Sequence, residues 1–391
     1  MNPPPVSAAD PLIAWREEFP GLDHVLHFIS HSLGAMPRGV GEMLEHYGLL
    51  WRERGIRAWD EEWFELPTRV GDELGRIFNA LPGTVSMHEN CTTAQAVALS
   101  AIDFAAPRNR LVCTAEDFPS MLYLYEGLTR RGIEVVQVRP RRDRAIAESD
   151  VVAAIDERTA VVAISQVLFR TSQLLDVAPI IARAREAGAV TMIDAYQSIG
   201  TVPVDVQSLG VDVLTGGSVK WLCGGPGAGY LYASPRVRAF LAPAFTGWMA
   251  HEAPFAFDSG PMRWHQGPRR FWTGTPGIPS IFAARSGYAI VSGIGVGAIR
   301  EKSLRQTDRM LSWADEFGMP VASPRVAAHR GGTVVVDVPY ADRVCRALLE
   351  QDVLLDFRPG VGLRLAPHFY TRDDEIDRVM AMVRDEVRKA G

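Results

Sequence analysis

Beyond about residue 80, short apolar runs rich in β-branched residues alternate with segments patterned for helix. No other feature restricts the fold of this chain as strongly. Arg110–Thr114, Glu134–Val138, Ala160–Ile164, Ala189–Asp194, Val211–Leu214 and Gly229–Tyr232 read as strands. Helical patterns near 93–104, 119–131, 148–156 and 176–188 separate most of them. Strands that are apolar along their whole length need cover on both faces, and helical crossovers make neighbouring strands parallel. The sequence therefore predicts an α/β fold built on a mainly parallel sheet with helices on both faces.

Both ends depart from this pattern. Before residue 80 the chain reads as mostly helical after a short strand at Val25–Ile29, with Trp51, Trp59 and Trp63 on a polar background. Toward the other end, a long helix over about 295–316 leads to a strand at Thr333–Val338, a helix over 340–351, a short strand at Gly362–Leu365 and a charged helix over 372–389. That succession predicts a small α+β unit. The expected division is an N-terminal segment 1–40 that contributes to the small domain, a large domain 41–295 and a small C-terminal domain 296–391. With 391 residues, 47% hydrophobic and 22% charged, the chain is long enough for such a pair of domains.

A net charge of −5 and a pI near 6.0 give no reason to expect a nucleic-acid partner. The cluster Arg139, Arg141, Arg142 and Arg144 reads as the cover of a surface loop. The four cysteines, Cys91, Cys113, Cys223 and Cys345, lie far apart without a CxxC pair. That spacing argues against a disulfide framework and a zinc knuckle, and no metal site is expected. The start, Met1 to Val6, lacks the basic region and apolar core of a signal peptide, and the weakly polar run Tyr288–Ile299 is too short to span a bilayer. A cytoplasmic protein without membrane contact is the expectation.

Candidate chemistry concentrates around the segment Thr215–Gly229, which sets one lysine, Lys220, among small and apolar residues. A lysine there loses solvation and its pKa falls toward neutrality, which is what a Schiff-base lysine needs. Asp194 closes the strand that precedes this segment, at the end where open α/β sheets bind ligands, and is placed to partner a pyridinium nitrogen. Asn90-Cys91-Thr92-Thr93-Ala94 lies where a strand, Val85–Glu89, passes into a helix. Thr92 and the adjacent N–H groups there form either a phosphate cup or an ordinary helix cap. Ser218 is a further candidate hydroxyl donor. Arg364 sits alone in the apolar stretch Gly362–Pro367, where an arginine is costly unless paired, and a substrate carboxylate would pair it. Trp59, Trp63, Trp264, Phe271 and Trp272 are candidates for an aromatic pocket or for buried interface. No dinucleotide fingerprint, Walker lysine, zincin helix or nucleophile elbow is present.

These residues resemble the class V aminotransferase superfamily of fold-type I pyridoxal-phosphate (PLP) enzymes. Asp194-Ala-Tyr-Gln197 is similar to its Asp-x-x-Gln/His segment, and Ser218-Val-Lys220-Trp with Gly224-Gly-Pro-Gly227 to its lysine loop. Within the superfamily the nearest resemblance is to kynureninases. Phe28–Gly34, Phe118-Pro-Ser120, Gly247-Trp248 with His251, Gly274-Thr275-Pro276, and Asp356-Phe-Arg358 with Leu363–Pro367 are the segments that carry it.

The resemblance implies a seven-stranded, mainly parallel sheet in a three-layer sandwich, and a homodimer with active sites at its interface. It implies PLP on the catalytic Lys220, held by Cys91, Thr92, Phe118, Ser120, Asp194, Tyr196, Gln197, Ser218, Trp248 and Thr275, with Thr275 reaching in from the partner subunit. His31, Ser32 and Arg364 would bind an amino-acid substrate. The implied reaction is hydrolytic or eliminative cleavage of the side chain of kynurenine or a related amino acid. The alternatives are a class V aminotransferase and, more remotely, a cysteine desulfurase. The last needs a cysteine on a mobile C-terminal loop, whereas Cys345 falls in a helical run. Three positions depart from the kynureninase pattern: Val219 stands for a tyrosine, Met121 for an aspartate and Gln197 for a histidine.

Overall fold

A computed structural model describes residues 10–141 and 144–391. Met1–Val6 and Arg142 lie outside the described residues. The strands are β1 Leu26–His27, β2 Val85–His88, β3 Arg110–Thr114, β4 Glu134–Val138, β5 Thr159–Ser165, β6 Val190–Asp194, β7 Val213–Gly217, β8 Gly229–Ala233, β9 Val334–Val336, β10 Val353–Leu354, β11 Asp356–Arg358 and β12 Gly362–Leu365. A seven-stranded sheet runs in the order β2-β8-β7-β6-β5-β3-β4. β4, β3, β5, β6 and β7 pair in parallel, and β8 runs antiparallel to both its neighbours.

Every residue of β5, β6, β7 and β8 is buried, as strands apolar on both faces require. Alternate residues point to opposite layers. Val112, Val162, Ile164, Ile193, Leu214 and Tyr230 join one cluster with the helices Leu66–Gly75, Ala178–Glu186 and Ile278–Ile294. Leu111, Cys113, Val161, Ala163, Met192, Val213 and Leu231 join the other with the helices Cys91–Ser100 and Pro119–Thr129. The three-layer sandwich is thus the direct outcome of the strand pattern.

Toward the C-terminus, β11, β12 and β9 form an antiparallel sheet. Its apolar face packs with the helices Val296–Glu316, Ala341–Leu349 and Asp373–Ala390 in a third cluster. The N-terminal strand β1 pairs with β10, and Leu26 and Phe28 sit in that same cluster.

Two elements differ from the sequence reading. β7 continues past Leu214 through Gly216 and Gly217, residues that weaken a strand signal. Both glycines make room for rings: a Cβ on Gly216 would lie 2.3 Å from the Tyr230 hydroxyl, and one on Gly217 would lie 2.5 Å from Cζ of Tyr196. The helix Ile278–Ile294 was not anticipated, because its glycines and serines blur the helical pattern. Gly295, with φ of +85°, ends it and starts the helix Val296–Glu316 at a bend of 82°. Among the described residues no single helix is long and apolar enough to cross a membrane.

Glycines in helices normally cost stability relative to alanine, about 1 kcal/mol in the interior. Gly48, in the helix Gly39–Arg54, has open space where a Cβ would go, whereas a Cβ on Gly287 would lie 2.1 Å from Leu222 O. The expected result of urea denaturation is that Gly48→Ala stabilises by ~0.5–1 kcal/mol and Gly287→Ala destabilises. Equal effects of the same sign would contradict the packing described.

Candidate active site

The parallel strands β3, β5, β6 and β7 end on one edge of the sheet, and the helix Cys91–Ser100 starts there after β2. Directly beyond β7, residues 218–224 form a loop held by close backbone approach. A Cβ on Gly34 would lie 2.2 Å from Lys220 O, on Gly200 2.7 Å from Trp221 O, on Gly287 2.1 Å from Leu222 O, and on Gly224 2.7 Å from Ser218 Cβ. Gly34 N donates to Val219 O at 2.8 Å, and Cys223 N to Lys220 O at 3.0 Å. The buried Trp221 indole donates to Gln197 Oε1 at 3.0 Å, and the His368 ring meets Trp221 O at 2.8 Å.

This loop presents the Lys220 amine between two rings. Nζ lies 4.1 Å from the centroid of Tyr196 and 5.6 Å from that of Phe118. Phe118 is itself braced edge-on by Phe169 at 5.2 Å. Burial pushes the Lys220 pKa down to about 8. Arg364 and Arg358 push in the same direction, and Asp194 opposes them. The chain has three lysines, and the other two are engaged elsewhere: Lys302 with Asp10 and Phe369 O, Lys389 with Glu386.

Asp194 ends β6, buried beside the lysine loop. Its Oδ1 accepts from Tyr196 N at 2.9 Å. Its Oδ2 has the Cys91 thiol, a weak donor, at 3.7 Å. Burial raises the Asp194 pKa, and the charge of Lys220 opposes the rise. A buried carboxylate oxygen this poorly supplied with donors suits a ligand N–H. Cys91 begins the helix Cys91–Ser100, whose cap is the Asn90 side chain, accepting from Thr93 N at 2.9 Å. Thr92 is therefore not the cap, and the N–H groups of Cys91 and Thr92 stay open at the helix start, where anions bind. An unsolvated amine, a carboxylate awaiting a donor and an open helix start together fit the aldehyde, pyridine nitrogen and phosphate of PLP.

Behind this group lies a hydrogen-bonded row that the sequence reading missed. Tyr125 donates to Gln95 Oε1 at 2.6 Å, and Gln95 donates to Thr215 Oγ1 at 3.0 Å. The Cys91 thiol lies 3.6 Å from that same oxygen. The available signal was Gln95 itself, a long polar side chain one helical turn after Cys91 within the apolar run Ala94–Leu99. Asp117 is also buried between β3 and β5, accepting from Thr114 N at 2.7 Å and Ser165 N at 2.6 Å, and burial raises its pKa to about 6.

Arg364, on β12, is close enough for its charge to act on Lys220 but is already paired. It donates to Asp356 through Nε at 2.7 Å and Nη2 at 2.6 Å. His31 Nε2 lies 3.0 Å from Asp356 Oδ1, and Ser32 Oγ donates to Oδ2 at 3.1 Å. Burial, with the Arg364 charge, pushes the His31 pKa down to about 3, so its ring is neutral. Arg364 therefore does not depend on a substrate carboxylate for its pairing: Asp356 supplies what an arginine in an apolar strand requires.

Other expected residues are placed differently. Ser218 donates its one hydroxyl proton to Ala228 O at 2.6 Å and also meets the Tyr288 hydroxyl, which leaves it no proton for a phosphate. Gln197 ties Trp221 to the backbone of His31, donating to His31 O at 3.0 Å, rather than facing a ring. Ser120 is partly buried in the first turn of the helix that follows Phe118. Met121 is 3% exposed in the apolar cluster under the helix Cys91–Ser100. Trp248 and Thr275 are brought together, on a cavity of about 640 Å³ shared with Trp59, Phe64 and Phe255. Its lining includes none of Lys220, Asp194 or Thr92. Of the aromatic candidates, Trp63, Phe271 and Trp272 are buried in the fold. Arg141 pairs with Asp150, and Arg144 with Gly360 O. Among the described residues no group of His, Cys, Asp and Glu is arranged to hold a metal.

The family model for class V aminotransferases matches residues 70–355. The chain belongs to the class V aminotransferase family. It is a PLP-dependent enzyme. It is 32% identical to a kynureninase from Burkholderia pseudomallei (strain K96243) over 394 residues, spanning 96% of this chain and 92% of that protein. It is 30% identical to a kynureninase from Deinococcus radiodurans, over 96% of this chain and 93% of that one. Among solved structures, a cysteine desulfurase from Thermococcus onnurineus NA1 superposes with a TM-score of 0.85 at 20% identity, covering 98% of this chain and 100% of that one. A cystine C–S lyase, solved with its product cysteine persulfide, gives 0.84 at 22% identity over 94% and 99%. These two likenesses show the fold.

The neutral amine is the form that captures an aldehyde. The rate at which cofactor-free protein takes up PLP is expected to rise with pH through a midpoint of about 8. In Asp194→Asn the midpoint should move to lower pH, because the charge that favours the protonated amine is gone. A rate independent of pH between about 6 and 10 would contradict this placement of Lys220.

Proposed function

We propose that the protein is a kynureninase-like hydrolase or lyase, which cleaves the side chain of kynurenine or a related amino acid. What carries this is one site that gathers the buried Lys220 amine, the donor-poor Oδ2 of Asp194 and the Asp356–Arg364 pair, whose arginine charge acts on the amine. The kynureninase relatives, at 30–32% identity across 96% of the chain, support the choice of reaction.

When bound, PLP supplies a conjugated ring that accepts the electron pair left at the substrate's Cα. Asp194 would keep a proton on the ring nitrogen through its poorly supplied Oδ2. The open amides of Cys91 and Thr92, together with Ser120, would hold the phosphate, and Tyr196 and Phe118, whose rings lie beside the Lys220 amine, would line the space for the ring. Lys220 would remove the substrate's α-proton. Arg364 would hold the carboxylate, with the ionised Asp356 as its partner behind it, and His31 and Ser32 hold Asp356 in place. In the kynureninase reaction the side-chain ketone is then hydrated and the Cβ–Cγ bond breaks, giving alanine and anthranilate.

Trp248 and Thr275 lie on a cavity of their own within one chain. Both would help to hold the phosphate in a homodimer, Thr275 reaching in from the partner subunit. The chain would divide after residues 40 and 295, in a cytoplasmic setting.

A second reading, a class V aminotransferase, is favoured by Val219 and Gln197, which leave no side chain near Lys220 peculiar to kynureninases. Lys220 alone then moves the proton onto the cofactor side. Cysteine desulfuration lacks its nucleophile: Cys345 is buried in the helix Ala341–Leu349, with its Sγ 3.9 Å from Leu355 O.

Incubation with kynurenine, 3-hydroxykynurenine and a panel of amino acids, with product detection, separates these readings. Equimolar alanine and the aryl acid are expected. Keto acid and pyridoxamine phosphate without a cleavage fragment would overturn the cleavage reading. Lys220→Ala should lower turnover by ~10²–10⁴-fold, the usual share of a general base.

A further inference from the structure

Three polar side chains, Gln95, Tyr125 and Thr215, are buried in the apolar layer that joins the helices Cys91–Ser100 and Pro119–Thr129 to the sheet. Apolar side chains would fill that space without the cost of stripping polar groups of water. A buried polar row is tolerated only when its members satisfy one another, and this row does so while leading to a single place, Asp194.

Its bonds run in one direction. Tyr125 donates to Gln95 Oε1 at 2.6 Å, so the amide turns its NH₂ end toward β7 and Cys91. There Nε2 donates to Thr215 Oγ1 at 3.0 Å and lies 3.9 Å from Cys91 Sγ. The thiol has one proton and two acceptors within reach, Thr215 Oγ1 at 3.6 Å and Asp194 Oδ2 at 3.7 Å. Gln95 already supplies the first with an N–H, and an ionised carboxylate is the stronger acceptor. The thiol proton therefore goes to Asp194. Burial keeps both ends of the row protonated, since it raises the Cys91 thiol and the Tyr125 phenol well above their ordinary values.

Asp194 gains from this. Its Oδ1 is occupied by Tyr196 N, and among the described residues the thiol is the only side-chain donor on Oδ2. Burial raises the Asp194 carboxyl, and the thiol's bond lowers it again.

We propose that Gln95 is a positioning residue for the cofactor: held by Tyr125 and seated on Thr215, it turns the Cys91 thiol onto Asp194 and keeps that buried carboxylate ionised for the pyridine nitrogen. It acts on the ring only through Cys91 and Asp194. The assignment needs PLP on Lys220 but no choice of reaction, so it stands apart from the side-chain cleavage reading.

Two readouts test it: the Cys91 S–H stretch in the infrared, identified as the band missing from Cys91→Ala, and the pH midpoint of PLP uptake, which responds to the charge on Asp194. The band should rise in frequency in Asp194→Asn and stay in place in Thr215→Val. Gln95→Met should raise the band, lower the uptake midpoint in the direction of Asp194→Asn, and weaken PLP binding about two- to tenfold, the worth of one hydrogen bond. Tyr125→Phe, which frees the amide to turn over, should shift all three in the same direction by less. Adding Cys91→Ser to Gln95→Met should return the midpoint and the PLP affinity toward wild type, because a hydroxyl is a stronger donor than a thiol. A loss of packing alone would not be rescued in this way. A Gln95→Met protein with the wild-type band and midpoint overturns the assignment, and so does a band that moves in Thr215→Val rather than in Asp194→Asn. Should Gln95→Met fail to fold, an unmoved band in Tyr125→Phe overturns it equally. The infrared arm reads the row without cofactor or substrate, so its failure is separate from any failure of the cleavage reading.

Discussion

Close backbone contact around residues 218–224 is the constraint on which the site depends. Gly34, Gly200 and Gly287 come from three separate parts of the chain, and each admits a loop carbonyl where a side chain would stand. Gly287 belongs to a helix of the large sandwich, Gly200 to the turn after β6, and Gly34 to the segment that follows β1. The loop is therefore fixed to each of the bodies that must meet for a site to exist. Interiors are close-packed and resist small shifts, so Lys220 has little freedom in where it presents its amine.

Charge is arranged around that fixed point. Burial, the largest influence, disfavours the ammonium form of Lys220; Asp194 stabilises that form, and Arg364 and Arg358 act with burial against it. The result is an amine that changes protonation state near pH 8 rather than near 10.5. Asp356 performs a comparable service for the arginines. Its carboxyl is held well below the usual range by Arg364 and His31, so it stays ionised and pairs with both guanidinium groups.

The sheet and the lysine-bearing loop were legible in the sequence because both rest on local signals. β-branched runs named the strands, and an isolated lysine among glycines named the loop. The partners of Ser218, Gln197 and Arg364 were not legible, because they lie on other elements: Tyr288, His31 with Trp221, and Asp356 with Phe169 respectively. Residue types reveal what a side chain can bond, whereas only the fold reveals what it meets first. Trp248 and Thr275 show the same limit at larger scale, since they converge on each other but on a different cavity from Lys220. The sequence pattern hides the helix Ile278–Ile294, because its glycines, among them Gly287, which admits the lysine loop, erase the helical periodicity.

The central claim is that one of three lysines carries the cofactor. Borohydride reduction of the purified, PLP-loaded protein followed by peptide mapping tests it most directly. The expected result is a phosphopyridoxyl group on the peptide containing Lys220, in stoichiometric amount and absent from the peptides of Lys302 and Lys389. Label on either of those two, or a stoichiometric reducible adduct in Lys220→Ala, would contradict the account.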